Sequence, residues 1–318
     1  MTSRLPLFLD CDTGIDDAIA LAYLLGTPAA QLVGIGTVSG NTTAEQAGEN
    51  TLRLLDLAGA ADVPVAVGAH DHVSGPYAGG SPDVHGRNGI GDVALAESAA
   101  APVTESAPAM LVRLARELPG QLRVAAIGPL TNIALALDLE PRLPELVAEL
   151  VVMGGAVWEP GNITPLAEAN IFHDPDAADR VLAADGPWEV TLVPLDLTRQ
   201  HRFTDEHAAV LAAEGGALGG ALSTMLSTYL GFYEGVDGVR AAPLHDPLAV
   251  AVAAGRLPGP VARRTGLRVD VTDGPGRGRT VPDPDRPAVA VLTSLADDAA
   301  PAVLAGVLAA TTVPELAR

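Results

Sequence analysis

The 318-residue sequence contains no lysine and only one cysteine. Without lysine the chain can neither form a Schiff base with a carbonyl substrate nor hold a phosphate with the lysine of a P-loop. A single cysteine, Cys11, excludes an intramolecular disulfide and a metal site built from several thiolates. The remaining chemistry has to come from carboxylates, amides, histidine and arginine.

Aromatic residues and long apolar runs are also scarce. Aromatics make up 3% of the chain and hydrophobic residues 48%, so alanine, valine and leucine have to fill the core. No apolar run reaches the roughly 20 residues that cross a bilayer. The N-terminus also lacks a basic stretch followed by an apolar one. We expect a soluble, cytoplasmic protein without a membrane partner.

Basic residues are few relative to acidic ones. The chain has 19 Lys+Arg against 39 Asp+Glu, which gives a formal net charge of −20. A surface this acidic repels phosphate backbones, so nucleic acid is a poor partner.

Apolar runs alternate with helical patterns along the whole chain. Continuous rather than alternating hydrophobicity is typical of strands buried on both faces, as in a parallel sheet. The predicted strands are Leu5–Asp10, Leu32–Val38, Val63–Val67, Leu122–Ile127, Leu150–Met153, Val190–Leu195, Leu267–Val271 and Ala288–Leu292. The predicted helices are Asp16–Leu25, Ala44–Ala58, Ala107–Leu118, Asn132–Leu137, Asp176–Ala184, Glu206–Ala213 and Pro247–Ala254.

This alternation predicts an α/β fold with a single open, mostly parallel central sheet of about eight strands flanked by helices. The length permits one large domain or two smaller ones. Because no long linker or tandem repeat interrupts the pattern, we expect one domain over residues 1–318. Two segments rich in glycine and proline, Gly75–Asp92 and Asp273–Arg286, are predicted to be loops.

Where the first predicted strand runs into a turn, four aspartates lie within eight positions: Asp10, Asp12, Asp16 and Asp17. Carboxylates packed this closely raise one another's pKa, which is costly in the absence of a cation. A helix cap plus solvated charges would account for only some of them. Oxygen ligands without clustered histidine or cysteine favour Ca²⁺ or Mg²⁺ over Zn²⁺.

A second carboxylate far along the chain could complete such a site. Asp246 lies in the segment from Leu244 to Pro247, and we expect a helix to begin at Pro247. A plain helix cap with a bystander histidine, His245, explains this segment equally well.

The sequence resembles the inosine–uridine type nucleoside hydrolases from its first strand to at least Asp246. The opening motif Asp-x-Asp-x-Gly-x-Asp-Asp is specific, and further blocks occur in the family's order. These blocks are Val38–Asn41, Ile127–Asn132, Val152–Gly155, Gly161–Asn162, Ala167–Asn170 and His245–Pro247. The resemblance implies a Rossmann-like fold and calcium-dependent cleavage of the bond between ribose and a purine or pyrimidine base.

The resemblance also implies roles for individual residues. The calcium ligands match Asp12, Asp17, Asp246 and the backbone carbonyl of Ile127, and ribose hydroxyls and one water complete the coordination. Asp12 matches the general base that takes a proton from the calcium-bound water as this water attacks C1′. The positions that match ribose contacts are Asp16, Asn41, Met153 (through its backbone), Glu168 and Asn170. Asn162 matches another ribose contact, on the 5′-hydroxyl side.

Other positions match the surroundings of the nucleobase. His245 matches the residue proposed in one branch of the family to protonate the departing base, although it could also only line the pocket. Tyr229 and Tyr233 lie four apart on a predicted helix and could close over the base or simply pack that helix. His85 could line the base site or be an exposed loop histidine. The purine or pyrimidine preference stays open.

Two other functions fit parts of the sequence. A phosphohydrolase of the haloacid dehalogenase type also begins with a strand followed by Asp-x-Asp. However, it places threonine where this chain has Gly14, and it uses a lysine that this chain lacks. A non-enzymatic nucleoside- or sugar-binding protein is the other alternative. The resemblance also implies a homodimer or homotetramer.

Overall fold

The computed structural model describes residues 4–257 and 259–311, so the two ends of the predicted 1–318 domain lie outside the described residues. Within the described ranges no helix is both long and apolar enough to span a membrane.

An eight-stranded sheet forms the centre of the fold, in the order β3-β2-β1-β4-β5-β6-β12-β9. Its strand pairs are parallel except that β9 runs antiparallel to β12 at one edge. The strands of this sheet are β1 (Leu5–Cys11), β2 (Ala30–Thr37), β3 (Val65–Val67), β4 (Leu122–Ala126), β5 (Val147–Met153), β6 (Glu189–Val193), β9 (Val261–Thr265) and β12 (Val289–Ser294).

Helices cover both faces of the sheet. Their bounds are α1 (Ile15–Leu25), α2 (Ala44–Leu57), α3 (Pro82–His85), α4 (Ala107–Glu117), α5 (Thr131–Leu139), α6 (Leu143–Leu146), α7 (Ala169–His173), α8 (Pro175–Ala183), α9 (Leu195–Thr198), α10 (Asp205–Glu214), α11 (Gly216–Asp237), α12 (His245–Ala253) and α13 (Ala300–Thr311). Two small antiparallel pairs lie outside the central sheet: β7 (Arg202–Thr204) with β8 (Ala241–Pro243), and β10 (Leu267–Val269) with β11 (Thr280–Pro282).

The core lies on both sides of the sheet, as the continuous apolar strands predicted. Along β1, Leu7 and Leu9 belong to one buried cluster and Phe8 to the other. Successive side chains of a strand point to opposite faces, so a strand that is buried on both sides must be apolar throughout. The predicted α/β class with a mostly parallel sheet of about eight strands is confirmed.

One predicted strand is placed wrongly. Leu267–Val271 was expected in the central sheet, but β10 ends at Val269 and pairs only with β11. The eighth strand of the central sheet is β9, which is exposed along most of its length and carries Arg263 and Arg264. An exposed edge strand needs no apolar run, so the hydrophobic pattern could not reveal it.

The two predicted loops contain short regular elements. Gly75–Asp92 includes α3, and Asp273–Arg286 includes β11 of the hairpin with β10. Both elements are only three or four residues long. These segments therefore remain mainly connections, and the first of them is important for the site.

Candidate active site

The acidic turn after β1 lies at the carboxyl edge of the sheet, where open α/β folds bind their ligands. Because β1 lies between β2 and β4, its end faces the loops that follow both neighbours. Gly14 begins the turn into α1, and a Cβ at this position would come within 2.6 Å of the side chains of Asn41 and His85. Glycine therefore allows those side chains to approach the turn.

Three buried carboxylates of this region form a compact cluster. The ligand atoms of Asp16, Asp17 and Asp246 all lie within 4.8 Å of one another. Asp12 adjoins the cluster through Asp17, whose Oδ1 accepts the backbone N–H of Asp12 at 3.2 Å. The sequence predicted Asp12, Asp17 and Asp246 as one group. The structure brings these three residues to one place. The three carboxylates that lie closest together are those of Asp16, Asp17 and Asp246, and Asp12 lies beside them.

Several buried carboxylate oxygens have no hydrogen-bond partner within the described part of the chain: Oδ2 of Asp10, Oδ1 of Asp12 and Oδ1 of Asp16. The other oxygen of Asp12 accepts the backbone N–H of Asn41 at 2.6 Å. A buried carboxylate oxygen without a donor is unfavourable unless a cation or ligand compensates for it. The atoms of the cluster that could coordinate a metal ion are all oxygens, which suits a hard cation such as Ca²⁺.

The electrostatics of the cluster also favour a cation. Burial, and then the negative charge of Asp16, raises the pKa of Asp17 to about 7. Burial also raises the pKa of Asp12 well above the usual range, and repulsion from Asp17 raises it further. The pKa of Asp246 is raised in the same way, first by burial and then by repulsion from Asp16. A divalent cation supplies the opposite charge that removes this repulsion.

Helix capping explains only part of the acidic motif. Asp17 does act as a cap, since its Oδ2 accepts the backbone N–H of Gly14 at 2.7 Å. The expectation that a helix begins at Pro247 is wrong by two residues, because α12 already begins at His245. Asp246 therefore lies inside the first turn rather than at the cap position, and a plain cap does not account for it.

A cleft of about 250 Å³ opens at the cluster. Asp12 and Asp17 are buried and do not line it, whereas all the other predicted site residues do. The predicted residues in the lining are Asp16, Asn41, His85, Ile127, Met153, Asn162, Glu168, Asn170, Tyr229, Tyr233, His245 and Asp246. The structure thus gathers residues from distant parts of the chain around one cavity.

One side of the cleft carries carboxylate and amide groups suited to sugar hydroxyls. Glu168 is held by three backbone N–H groups: Oε1 accepts from Asn170 at 2.9 Å, and Oε2 accepts from Gly155 at 3.0 Å and Ile171 at 3.1 Å. The Nδ2 of Asn170 donates to the carbonyl of Ile127 at 2.8 Å. That carbonyl therefore faces the site, and its second lone pair stays available to a cation.

Another part of the lining combines histidine and tyrosine. His245 is held at both ring nitrogens, by the Thr198 hydroxyl at Nδ1 (2.8 Å) and by the Tyr233 hydroxyl at Nε2 (3.0 Å). The hydroxyl of Tyr229 donates to Oδ2 of Asp16 at 3.2 Å. Both tyrosines therefore do more than pack α11. Burial lowers the pKa of His245 to about 4, against the opposing effect of Asp16.

His85 brings the glycine-rich loop Gly75–Asp92 into the site. Its Nδ1 accepts the backbone N–H of Ile15 at 3.1 Å, so the proton of the neutral imidazole is on Nε2. Asn50 of α2 holds the same loop through the carbonyl of Asn88 at 2.8 Å. Since His85 is buried, the alternative of a solvent-exposed loop histidine is wrong.

The sequence did not reveal every residue of the cleft. Among those it missed are Val84, Ile163, Arg199, Arg202, Phe232 and Val236. Phe232 and Val236 belong to α11, and each lies three residues after one of the predicted tyrosines, so the helical spacing from Tyr229 and Tyr233 indicates both. Arg199 follows the short helix α9 and carries no local signal of a site.

Comparison with known proteins agrees with this geometry. The family model for inosine-uridine preferring nucleoside hydrolases matches residues 7–303. Uridine nucleosidase 1 from Arabidopsis thaliana is 36% identical over 243 residues, which cover 76% of this chain and 72% of the relative. The pyrimidine-specific ribonucleoside hydrolase RihA from Citrobacter koseri is 36% identical over 248 residues, 78% of each chain.

Solved structures agree over almost the entire length. The purine-preferring ribonucleoside hydrolase from Gardnerella vaginalis superposes with a TM-score of 0.89 at 33% identity, covering 96% of this chain and 98% of that one. A plant nucleoside hydrolase, the PpNRh1 enzyme, gives a TM-score of 0.90 at 28% identity, covering 98% and 100%.

Proposed function

This chain belongs to the inosine-uridine preferring nucleoside hydrolase family, and from that premise we propose that it hydrolyses ribonucleosides in a calcium-dependent reaction. The products are ribose and a free purine or pyrimidine base. Membership of an enzyme family leaves no support for a non-enzymatic binding protein or for a phosphohydrolase.

The observation that carries the calcium proposal is the buried acidic cluster beside the cleft. It combines close carboxylates with unpartnered oxygens on Asp12 and Asp16. Asp12, Asp17, Asp246 and the carbonyl of Ile127 would hold the ion. When bound, calcium would bind the ribose diol and lower the pKa of a water.

The residues around the cluster have distinct tasks in the proposed reaction. Asp12 takes the proton of the attacking water, and its orientation is fixed by the N–H of Asn41 at Oδ2. Asp16, Asn41, Glu168, Asn170 and the backbone at Met153 bind the sugar. The negative charge of Asp16 and Glu168 stabilises the positive charge that develops on ribose as the glycosidic bond breaks.

Around the nucleobase, we assign His245 as the proton donor to the departing base. Because burial lowers its pKa to about 4 in the free protein, this role requires that the bound substrate raises that pKa. His245 lines the cleft, and its contacts with Thr198 and Tyr233 fix the orientation of the imidazole. Asn162 is assigned to the 5′-hydroxyl, and His85, Tyr229 and Tyr233 to the nucleobase.

A hydrolysis panel tests the function directly. Purified protein is incubated with inosine, adenosine, guanosine, uridine and cytidine, with calcium or with a chelator, and released ribose is measured. The panel needs both base classes because the relatives include enzymes with either preference. We expect chelation to abolish hydrolysis and added calcium to restore it. Undiminished hydrolysis in the chelator would refute the calcium dependence.

Replacement of the proposed base tests the mechanism. Asp12→Asn keeps the side-chain shape but cannot accept the proton, so we expect turnover to fall by about 10³-fold with little change in the unfolding temperature. Asp56→Asn, at an exposed position of α2, is the matched control and should keep wild-type turnover. Near wild-type turnover by Asp12→Asn would show that another group takes the proton.

Three features remain predictions from the sequence: one domain over residues 1–318, a homodimer or homotetramer, and a cytoplasmic location. Light scattering on the purified protein would measure the oligomeric state.

A further inference from the structure

The turn formed by α9 and Arg199 contacts two segments that each contribute residues to the cleft. On one side, Asp196 accepts backbone N–H groups of the loop that follows β5, from Val157 at 2.9 Å and Trp158 at 2.8 Å. On the other side, Thr198 bonds to Nδ1 of His245 at 2.8 Å. One short turn therefore connects His245 with the loop that contains Asn162.

Arg199 makes the second attachment to that loop. Its Nη1 donates to the carbonyl of Pro160 at 2.9 Å and its Nη2 to the carbonyl of Gly161 at 2.8 Å. In residues 4–257 and 259–311 no carboxylate forms an ion pair with Arg199, unlike Arg202, which pairs with Asp237. The guanidinium is permanently charged and planar, so these two carbonyl bonds are charge-assisted and directional.

The residue that follows these two carbonyls is Asn162. Its Oδ1 accepts the backbone N–H of Ala169 at 2.9 Å, which assigns the amide orientation and leaves Nδ2 as the free end. Within the described chain no hydrogen bond of Nδ2 is found, and Asn162 lines the cleft. A donor is thus presented to the cavity at a position that depends on the backbone of Pro160 and Gly161.

We propose that Arg199 is a positioning residue for the 5′ end of the substrate: by holding the carbonyls of Pro160 and Gly161 it fixes the amide of Asn162 where this can donate to the 5′-hydroxyl. The inference rests on the proposed function for the identity of the substrate. It assigns to Arg199 no contact with the reacting atoms. The class of ligand recognised is a nucleoside with a free 5′-hydroxyl.

The test compares a nucleoside with its 5′-deoxy analogue, using uridine and 5′-deoxyuridine or the corresponding inosine pair, whichever is hydrolysed faster. Arg199→Met removes the guanidinium but keeps an unbranched side chain. Loss of two charge-assisted bonds should lower kcat/KM for the nucleoside by about tenfold, mainly through KM. For the 5′-deoxy analogue we expect a change below about twofold, because that substrate lacks the group that the loop recognises.

Two further variants sharpen the result. Arg199→Lys keeps one charged donor and should recover part of the preference for the 5′-hydroxyl. Arg286→Met is the matched control, since Arg286 also binds a backbone carbonyl and a carboxylate, both of Asp179, and it does not line the cleft. We expect this control to keep the wild-type ratio between the two substrates.

The ratio between substrates decides the outcome. Both are measured on one preparation, so a partly unfolded variant, or one with a displaced His245, loses activity on both substrates and the ratio does not change. An unchanged ratio for Arg199→Met would overturn the proposal. Hydrogen exchange of the segment 157–167 provides a second readout: it should accelerate in Arg199→Met and not in Arg286→Met. If the wild-type protein hydrolyses neither nucleoside, the proposed function is refuted. The hydrogen-exchange measurement still tests the role of Arg199 in that case, because it needs no turnover.

Discussion

The tripeptide His-Asp-Pro occurs twice in this chain, at His173–Pro175 and at His245–Pro247, and the two copies have different surroundings. Asp174 is fully buried and caps α8, whereas Asp246 is buried within the acidic cluster. Both histidines have a pKa lowered to about 4, in each case mainly by burial. Composition and burial alone therefore do not distinguish them.

The hydrogen bonds to the two aspartates do distinguish them. Asp174 accepts four: at Oδ1 from the backbone of Ser74 and Ala177 at 3.1 and 3.2 Å, and at Oδ2 from the Val73 backbone and the Thr131 hydroxyl at 2.8 and 2.6 Å. These donors compensate the charge inside the protein. Burial raises the pKa of Asp246 instead, and the negative charges of neighbouring carboxylates raise it further.

The difference separates structural from functional buried carboxylates in this fold. A carboxylate whose oxygens are all bound by N–H and O–H groups stabilises the fold and needs nothing from outside. A carboxylate packed against like charges is stable only when a cation or a proton compensates for it. The second arrangement is costly in the free protein and is therefore a better indicator of a site than burial alone.

The largest expected effect comes from replacing each of the two aspartates by asparagine and comparing the turnover of the two variants. Asp246→Asn removes a proposed calcium ligand, and loss of the several kcal/mol that a bound ion contributes should lower turnover by roughly 10³-fold. Asp174→Asn should leave kcat per folded molecule within about threefold, because it contacts no part of the cleft. Turnover on the preferred nucleoside, normalised to the folded fraction, measures both. Equal losses in the two variants would erase the distinction.

The two histidines give the next comparison. If His245 protonates the departing base, His245→Ala should lower turnover of ordinary nucleosides by about 10²-fold. With a nitrophenyl riboside, whose leaving group needs no proton, the loss should be below about threefold. His173→Ala should affect both substrates equally. A loss of the same size on both substrates for His245→Ala would favour the alternative that this residue only lines the pocket.

The smallest effects are those on stability, and here the order of the aspartates should reverse. Asp174→Asn places an amide N–H₂ against two donors, so we expect the free energy of unfolding to fall by about 1–3 kcal/mol. Asp246→Asn relieves repulsion and should cost nothing in calcium-free buffer. Urea unfolding with and without calcium measures both.

Calcium itself provides the control for the stability comparison. A free calcium concentration of about 100 times the dissociation constant should raise the free energy of unfolding of the wild type and of Asp174→Asn by about 2.7 kcal/mol. For Asp246→Asn the increase should be much smaller. An equal calcium effect in Asp246→Asn would remove Asp246 from the ligand set.

The sequence predicted most of the fold because the strands are buried on both faces. Continuous apolar runs located seven of the eight strands of the central sheet, β1 to β6 and β12. The edge strand β9 was missed because its exposed residues need not be apolar. The 22-residue helix α11 was not delimited because its glycines, such as Gly219, Gly220 and Gly231, argue against a helix. Packing of its buried face stabilises it instead.

For the site, the sequence by itself determined the acidic motif: local chain geometry places Asp12, Asp16 and Asp17 at the end of one strand and the start of one helix. The resemblance to a known family already pointed to Asp246, and the tertiary structure is what brings its carboxylate to the acidic turn. Only the tertiary structure shows that Arg199 reaches the loop before Asn162. The reason is physical. Which residues distant in sequence become neighbours depends on the order of strands in the sheet and on packing against it, and neither is encoded in a short segment.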